Sequence, residues 1–123
     1  MDLIFWQFLA LLLAHFVGDF ICQTHWQASN KSKSNGALAR HVINYTLVIG
    51  FVSAAIFPTG IQALAFTALN GVLHFGTDYV TSRWSSRLWA KQDWHNFFVV
   101  IGLDQLIHQL TLAATLWLAL VSR

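Results

Sequence analysis

Histidine and aspartate recur four residues apart inside stretches that are otherwise almost wholly apolar. They do so in His15-Phe16-Val17-Gly18-Asp19, in His74-Phe75-Gly76-Thr77-Asp78 and, reversed, in Asp104-Gln105-Leu106-Ile107-His108. Residues four apart share a helix face, so each pair is presented together. A charged aspartate at the centre of a bilayer-spanning helix costs roughly 2.5–3.5 kcal/mol on insertion scales. These aspartates must therefore be paired, protonated or bound to metal.

The runs that hold them cover about 3–23, 38–57, 61–80 and 97–120, each near the roughly twenty residues that about 30 Å of hydrocarbon demands. The 123 residues are 56% hydrophobic and 10% charged, against roughly 25% charged in a soluble domain. One all-α domain over 1–123 is expected, a polytopic membrane protein of four transmembrane helices. A soluble bundle is the weaker alternative, because the segments are apolar nearly all round. The first run reads as a mature span and not a signal peptide, since Asp2 replaces the positive n-region and Asp19 interrupts the run. Cys22 is the lone cysteine and excludes an intrachain disulfide. The basic residues form no stripe along a face, so no nucleic-acid partner is expected.

Phe57-Pro58-Thr59-Gly60 is a turn signal short enough to make the second and third spans an antiparallel hairpin. Two polar connections, 25–40 and 81–96, carry Lys31, Lys33 and Arg40, and Arg83, Arg87 and Lys91. Four spans place both on one side, which the positive-inside rule makes cytoplasmic, with both termini outside. The first connection looks flexible, and the second, with Trp84, Leu88, Trp89 and Trp94, suits a short interfacial helix. His15-Phe-x-x-Asp19-Phe20 also matches His74-Phe-x-x-Asp78-Tyr79. That match suggests two pseudo-repeated hairpins about an axis along the membrane normal, with the two His-x-x-x-Asp faces opposite one another.

On this topology His15, Asp19, His41, His74, Asp78, Asp104 and His108 all fall in the cytoplasmic leaflet. Four imidazoles and three carboxylates are a mixed nitrogen and oxygen set suited to zinc, manganese or iron, and too many ligands for one four-coordinate ion. Two divalent ions about 3.5–4 Å apart with a bridging aspartate are the expected arrangement. Gln23, Gln105, Tyr45 and Asn44 are candidates for supporting hydrogen bonds. Gly18 and Gly76 are read as close-packing positions, and His25 and His95 as ordinary surface residues.

These residues carry a resemblance to a family of small prokaryotic and phage-borne membrane proteins, the domain-of-unknown-function family 3307. It covers almost the whole chain and rests on His15-x-x-x-Asp19-Phe20-x-x-Gln23, Asn30-Lys31, His41-x-x-x-Tyr45, His74-x-x-x-Asp78 and Asp104-Gln105-x-x-His108. The resemblance implies the inner (cytoplasmic) membrane of a bacterium. Related small membrane proteins are often labelled predicted metal-dependent hydrolases. The family tends to carry a lysine shortly after the third-helix aspartate, where this chain has Thr81-Ser82-Arg83; Arg83 would keep a charge for phosphate.

The expected function is a membrane-embedded dinuclear metal-dependent hydrolase open to the cytoplasmic leaflet, acting on a phosphoester or lipid-linked substrate. Water activated by one ion would be the nucleophile, and the second ion would stabilise developing charge. His41 is the candidate general base, or a seventh ligand, and Asp104 shares the catalytic role with it. Gln23, Lys31, Lys33, Arg83 and Gln105 are candidates for contacting an anionic headgroup. Two other classes remain open: a small homo-oligomeric transporter or channel for protons or divalent cations, and a non-catalytic protein with a structural metal site.

Overall fold

The computed structural model describes residues 2–122. Among these the chain is all helical: α1 (Leu3–Phe16) continues into a π-helical turn (Val17–Ile21), followed by α2 (His25–Asn30), α3 (Asn35–Ile56), α4 (Gly60–Ala90) and α5 (Trp94–Val121). Side chains near the ends fix where the helices start. Ser34 Oγ accepts from Ala37 N, Thr59 Oγ1 from Gln62 N, and Thr24 and Gln27 close a reciprocal capping box. Asp93 caps α5; hydrogen bonds from the side chain and backbone amide of Asn96 hold its carboxyl below the ordinary carboxylate range.

α1 packs on α3, α3 on α4, α4 on α5 and α5 back on α1, closing a four-membered ring. Three-residue connections at 57–59 and 91–93 make consecutive long helices antiparallel, so this is an up-down-up-down bundle. α1 and α4 lie across the diagonal, and their His-x-x-x-Asp faces look at each other through the axis. The half nearer the Pro58 turn is filled by Leu11, Ile49, Phe66, Leu112 and Leu116, all buried.

Among the described residues three helices are long and apolar enough to cross a membrane: Leu3–Ile21, Asn35–Ile56 and Trp94–Val121. Of the four expected transmembrane helices, α4 is the one outside this set. That helix carries Asn70, His74 and Asp78 on its inner face and continues through Arg83 and Arg87.

The two expected connections are also largely helical. Residues 81–90 extend α4 without a break, because no glycine or proline interrupts them, and the chain turns only at Gln92, whose φ is 57°. The expected interfacial helix is thus the end of α4. In the first connection α2 and the opening of α3 leave only residues 31–34 outside helix.

The π-helical turn had no signal in the residue pattern. Its wide turn is closed by Cys22 N donating to Val17 O at 2.8 Å. Gly18 lies there against Tyr45, and a Cβ at Gly18 would stand 3.2 Å from Tyr45 Cα. Only glycine lets the turn approach α3 closely enough for the next residue, Asp19, to reach His41. Gly76, by contrast, has nothing within 4 Å of a built Cβ and serves no packing contact.

Candidate metal centre

Every residue of the expected ligand set reaches the bundle axis, and His15, Asp19, His41, His74, Asp78, Asp104 and His108 are all buried. His41 Nε2 is the most crowded point. It lies 3.0 Å from Asp19 Oδ1, 3.2 Å from Asp78 Oδ2 and 3.2 Å from His74 Nε2. His74 Nε2 is in turn 3.4 Å from Asp19 Oδ1 and 3.7 Å from Asp78 Oδ2.

A ring nitrogen offers one proton or one lone pair, so hydrogen bonding cannot satisfy three such neighbours at once. Four ligands about 2.0–2.1 Å from a tetrahedral ion stand about 3.3 Å apart, and these five separations scatter around that edge. Asp19, His41, His74 and Asp78 could hold a metal ion.

A second group, Asp19, Asp104 and His108, brings one ligand atom of each residue within 4.8 Å of the others, could also hold an ion, and shares Asp19 with the first. His108 Nε2 lies 3.4 Å from Asp104 Oδ1 and 3.1 Å from Asp78 Oδ1. Three carboxylates converge here against one ammonium, that of Lys31, which donates to Asp78 Oδ2 at 2.8 Å. Buried among apolar helices, these carboxylates need compensating positive charge, which protonated imidazoles or a bound cation can supply.

Stacking orients the rings more than hydrogen bonding does. Tyr45 stacks on His74 at 3.7 Å between centroids and His74 on His108 at 4.1 Å. Nδ1 of His15, His41 and His74 is buried without a hydrogen-bond partner. The acceptors that commonly fix ligating imidazoles from behind are missing at these three, and their polar interactions all go to the centre.

His15 stands apart from both groups. Its Nε2 donates to Gln105 Oε1 at 2.9 Å and lies 3.7 Å from Asp19 Oδ2. The Gln105 amide then donates to Asp19 Oδ2 and Asp104 Oδ2, each at 3.0 Å. A single side chain thus holds two carboxylates in register, and His15 holds that side chain.

The chain matches the family model described as "Protein of unknown function (DUF3307)" over residues 7–122. It belongs to the DUF3307 family. No curated protein and no solved structure matches it.

In this DUF3307 protein a cavity of about 530 Å³ opens onto the cluster, with Asp19, Asp78, Asp104 and Gln105 in its lining. Of the two candidate catalytic residues, Asp104 lines the cavity, whereas His41 is fully buried behind it, a position for a ligand and not for a base that meets substrate. Gln23, Lys31 and Lys33 also line it.

Arg83 does not. Its guanidinium donates to Asn35 Oδ1 and to the Tyr79 carbonyl, and packs 3.7 Å from the Tyr79 ring centre. Asn44 donates to the carbonyl of Cys22 and anchors the chain after the π turn. His25 and His95 are exposed, away from the site.

Sequence reasoning overlooked Thr81, whose hydroxyl donates to Asp104 Oδ1, and the serines beyond it. The signal was present. Thr81, Ser82 and Ser85 follow Asp78 at the three-and-four spacing that continues one helix face.

Proposed function

We propose that this protein is a membrane-embedded, dinuclear metal-dependent hydrolase whose site opens to the cytoplasmic leaflet. The observation that carries the reading is the sharing of Asp19 between a four-residue group and a three-residue group, each with two carboxylates in the cavity lining. Structural zinc sites use four protein ligands; catalytic ones keep a position free beside three. Asp19 is common to both groups and would serve both ions. Ions held there would supply Lewis acidity toward a phosphoester and would lower the pKa of bound water. The chain's own groups do the rest: Gln105 and Thr81 orient Asp19 and Asp104, and Lys31 stands at the cavity edge to receive negative charge.

All four long helices cross the bilayer in this reading, α4 included, because short turns fold it antiparallel against α3 and α5, both long and apolar enough to span. At about 1.5 Å per residue α4 is roughly 46 Å long, so its final turns rise beyond the hydrocarbon and wall the cavity. Large side chains such as Phe51, Ile61 and Val72 are turned outward while the polar ones are buried, the reverse of a water-soluble bundle. The two hairpins, α1 with α3 and α4 with α5, form the pseudo-repeat. The cavity end carries Lys31, Lys33, Arg83 and Arg87, which puts it in the cytoplasm and the termini outside.

A transporter would need access to the cluster from both faces. Against that, Leu11, Ile49, Leu112 and Leu116 fill the bundle between the histidines and the Pro58 end.

Elemental analysis of detergent-purified protein tests the reading, with about two divalent transition-metal ions expected per chain. Asp104→Asn should lose one ion and all phosphoesterase activity while keeping the ion of the four-residue group. Folded protein that carries no metal after purification and after metal addition would end it.

A further inference from the structure

The cavity lining combines two chemistries. Lys31, Lys33, Ser82, Ser85 and Ser86 are cationic or polar, and Phe20, Trp89, Phe97 and Ile101 are apolar. The apolar side chains come mainly from the π turn after α1 and from the first two turns of α5, with Trp89 one helical turn beyond Ser85 on α4. Phe20 and Ile101 line the cavity and are also exposed, at 46% and 37%. Where that exposed surface meets lipid, a hydrocarbon chain can pass from the membrane into the cavity along these two side chains.

We infer that the site takes an amphiphile with a phosphate headgroup directly from the bilayer. Lys31 and Lys33 hold the phosphate, and the four apolar side chains hold the first carbons of the tail. The inference rests on the hydrolase reading and adds the class of substrate and how it is held. At about 530 Å³ the cavity has the size of sites that enclose a headgroup and a short length of chain. A free phosphate would leave the apolar side chains unused, and a neutral amphiphile would leave the lysines without an anion.

Lys31 has a double position. It is largely buried, with its ammonium on Asp78 Oδ2, which belongs to the four-residue group. A cation engaging that carboxylate competes for the oxygen Lys31 now holds, and the next anion within reach of its ammonium is one bound in the cavity. Lys31 therefore turns to the phosphate only when the centre is loaded.

The test uses the purified protein in phosphatidylcholine nanodiscs, with unfolding temperature and metal content read on the same samples. Dodecylphosphonate, whose carbon–phosphorus bond resists hydrolysis, should raise the unfolding temperature; methylphosphonate and dodecyltrimethylammonium should not. Lys31→Met and, independently, Lys33→Met on the exposed loop should each weaken the dodecylphosphonate response at least tenfold. Phe97→Ala should reduce it to that of methylphosphonate. An equal response to methylphosphonate, an equal response to the trimethylammonium amphiphile, or unchanged binding in both lysine variants overturns the inference. Metal-loaded protein that ignores dodecylphosphonate overturns the inference and leaves the hydrolase reading standing, whereas protein that takes up no metal yet binds it through Lys33 overturns the hydrolase reading alone, and binding through Lys31 without metal overturns the switch assigned to Lys31.

Discussion

The two halves of this bundle are built from the same four helices but solve opposite problems. Toward the Pro58 turn, Leu11, Ile49, Phe66, Leu112 and Leu116 interlock as a dry core. Toward the other end the inward positions of those helices carry seven ionisable side chains. On the membrane-spanning reading the first half gains little from leaving lipid for protein, since both are apolar, and depends on close packing. The second half is a liability by itself: each aspartate there is expensive to bury, and only mutual arrangement around positive charge makes the burial tolerable. One half supplies rigidity and the other spends it on holding carboxylates at ion-coordinating separations.

Substitutions that touch one half and not the other test that division. Asp19→Asn should have the largest effect, because Asp19 belongs to both candidate groups. Loss of at least a hundredfold in metal affinity is expected, checked by metal content after dialysis against a weak chelator. If the variant retains its ions, Asp19 does not bridge.

Leu112→Ala removes a fully buried side chain one turn along α5 from His108. It should destabilise the fold by about 2–4 kcal/mol while leaving metal stoichiometry unchanged, measured by denaturation in detergent beside elemental analysis. Metal loss equal to that of Asp19→Asn would show that the halves are one cooperative unit.

Gly18→Ala acts at the join between them. A Cβ would meet Tyr45 at 3.1–3.4 Å, and Tyr45 stacks on His74. Overpacking of about 1–3 kcal/mol is expected, together with weaker metal binding as Asp19 is drawn from His41. Unchanged metal affinity with lowered stability would mean that the π turn adapts without disturbing the carboxylate.

The buried cluster was legible in the sequence because charge inside an apolar run is unusual and because His15–Asp19, His74–Asp78 and Asp104–His108 keep helical spacing. What was hidden depended on rotation and on where helices end. Arg83 follows Asp78 by five residues, a turn of about 140° away from the cluster face, so a basic residue in the right stretch points elsewhere. Lys31 sits in the 31–34 turn after α2, and only the folded path of the chain brings it to Asp78. The polar stretch 81–90 read as part of a connection with its own short interfacial helix because hydropathy falls there, yet nothing in it breaks α4. The π turn depends on a close approach between Gly18 and Tyr45, residues far apart in the chain.

The smallest effect belongs to the turn that ends this extended α4. Gln92 adopts a φ of 57°, a left-handed conformation that crowds its Cβ and that glycine adopts freely. Gln92→Gly relieves roughly 1 kcal/mol of that strain, offset in part by the greater freedom of glycine in the unfolded chain. A net gain of a few tenths of a kcal/mol is expected, read as a small rise in unfolding temperature with metal content unaltered. Because Trp89 packs on Trp94 and Phe97 across this turn, and Trp89 and Phe97 also line the cavity, a loss of dodecylphosphonate binding in this variant would show that the turn's geometry, and not only its side chains, shapes the apolar lining.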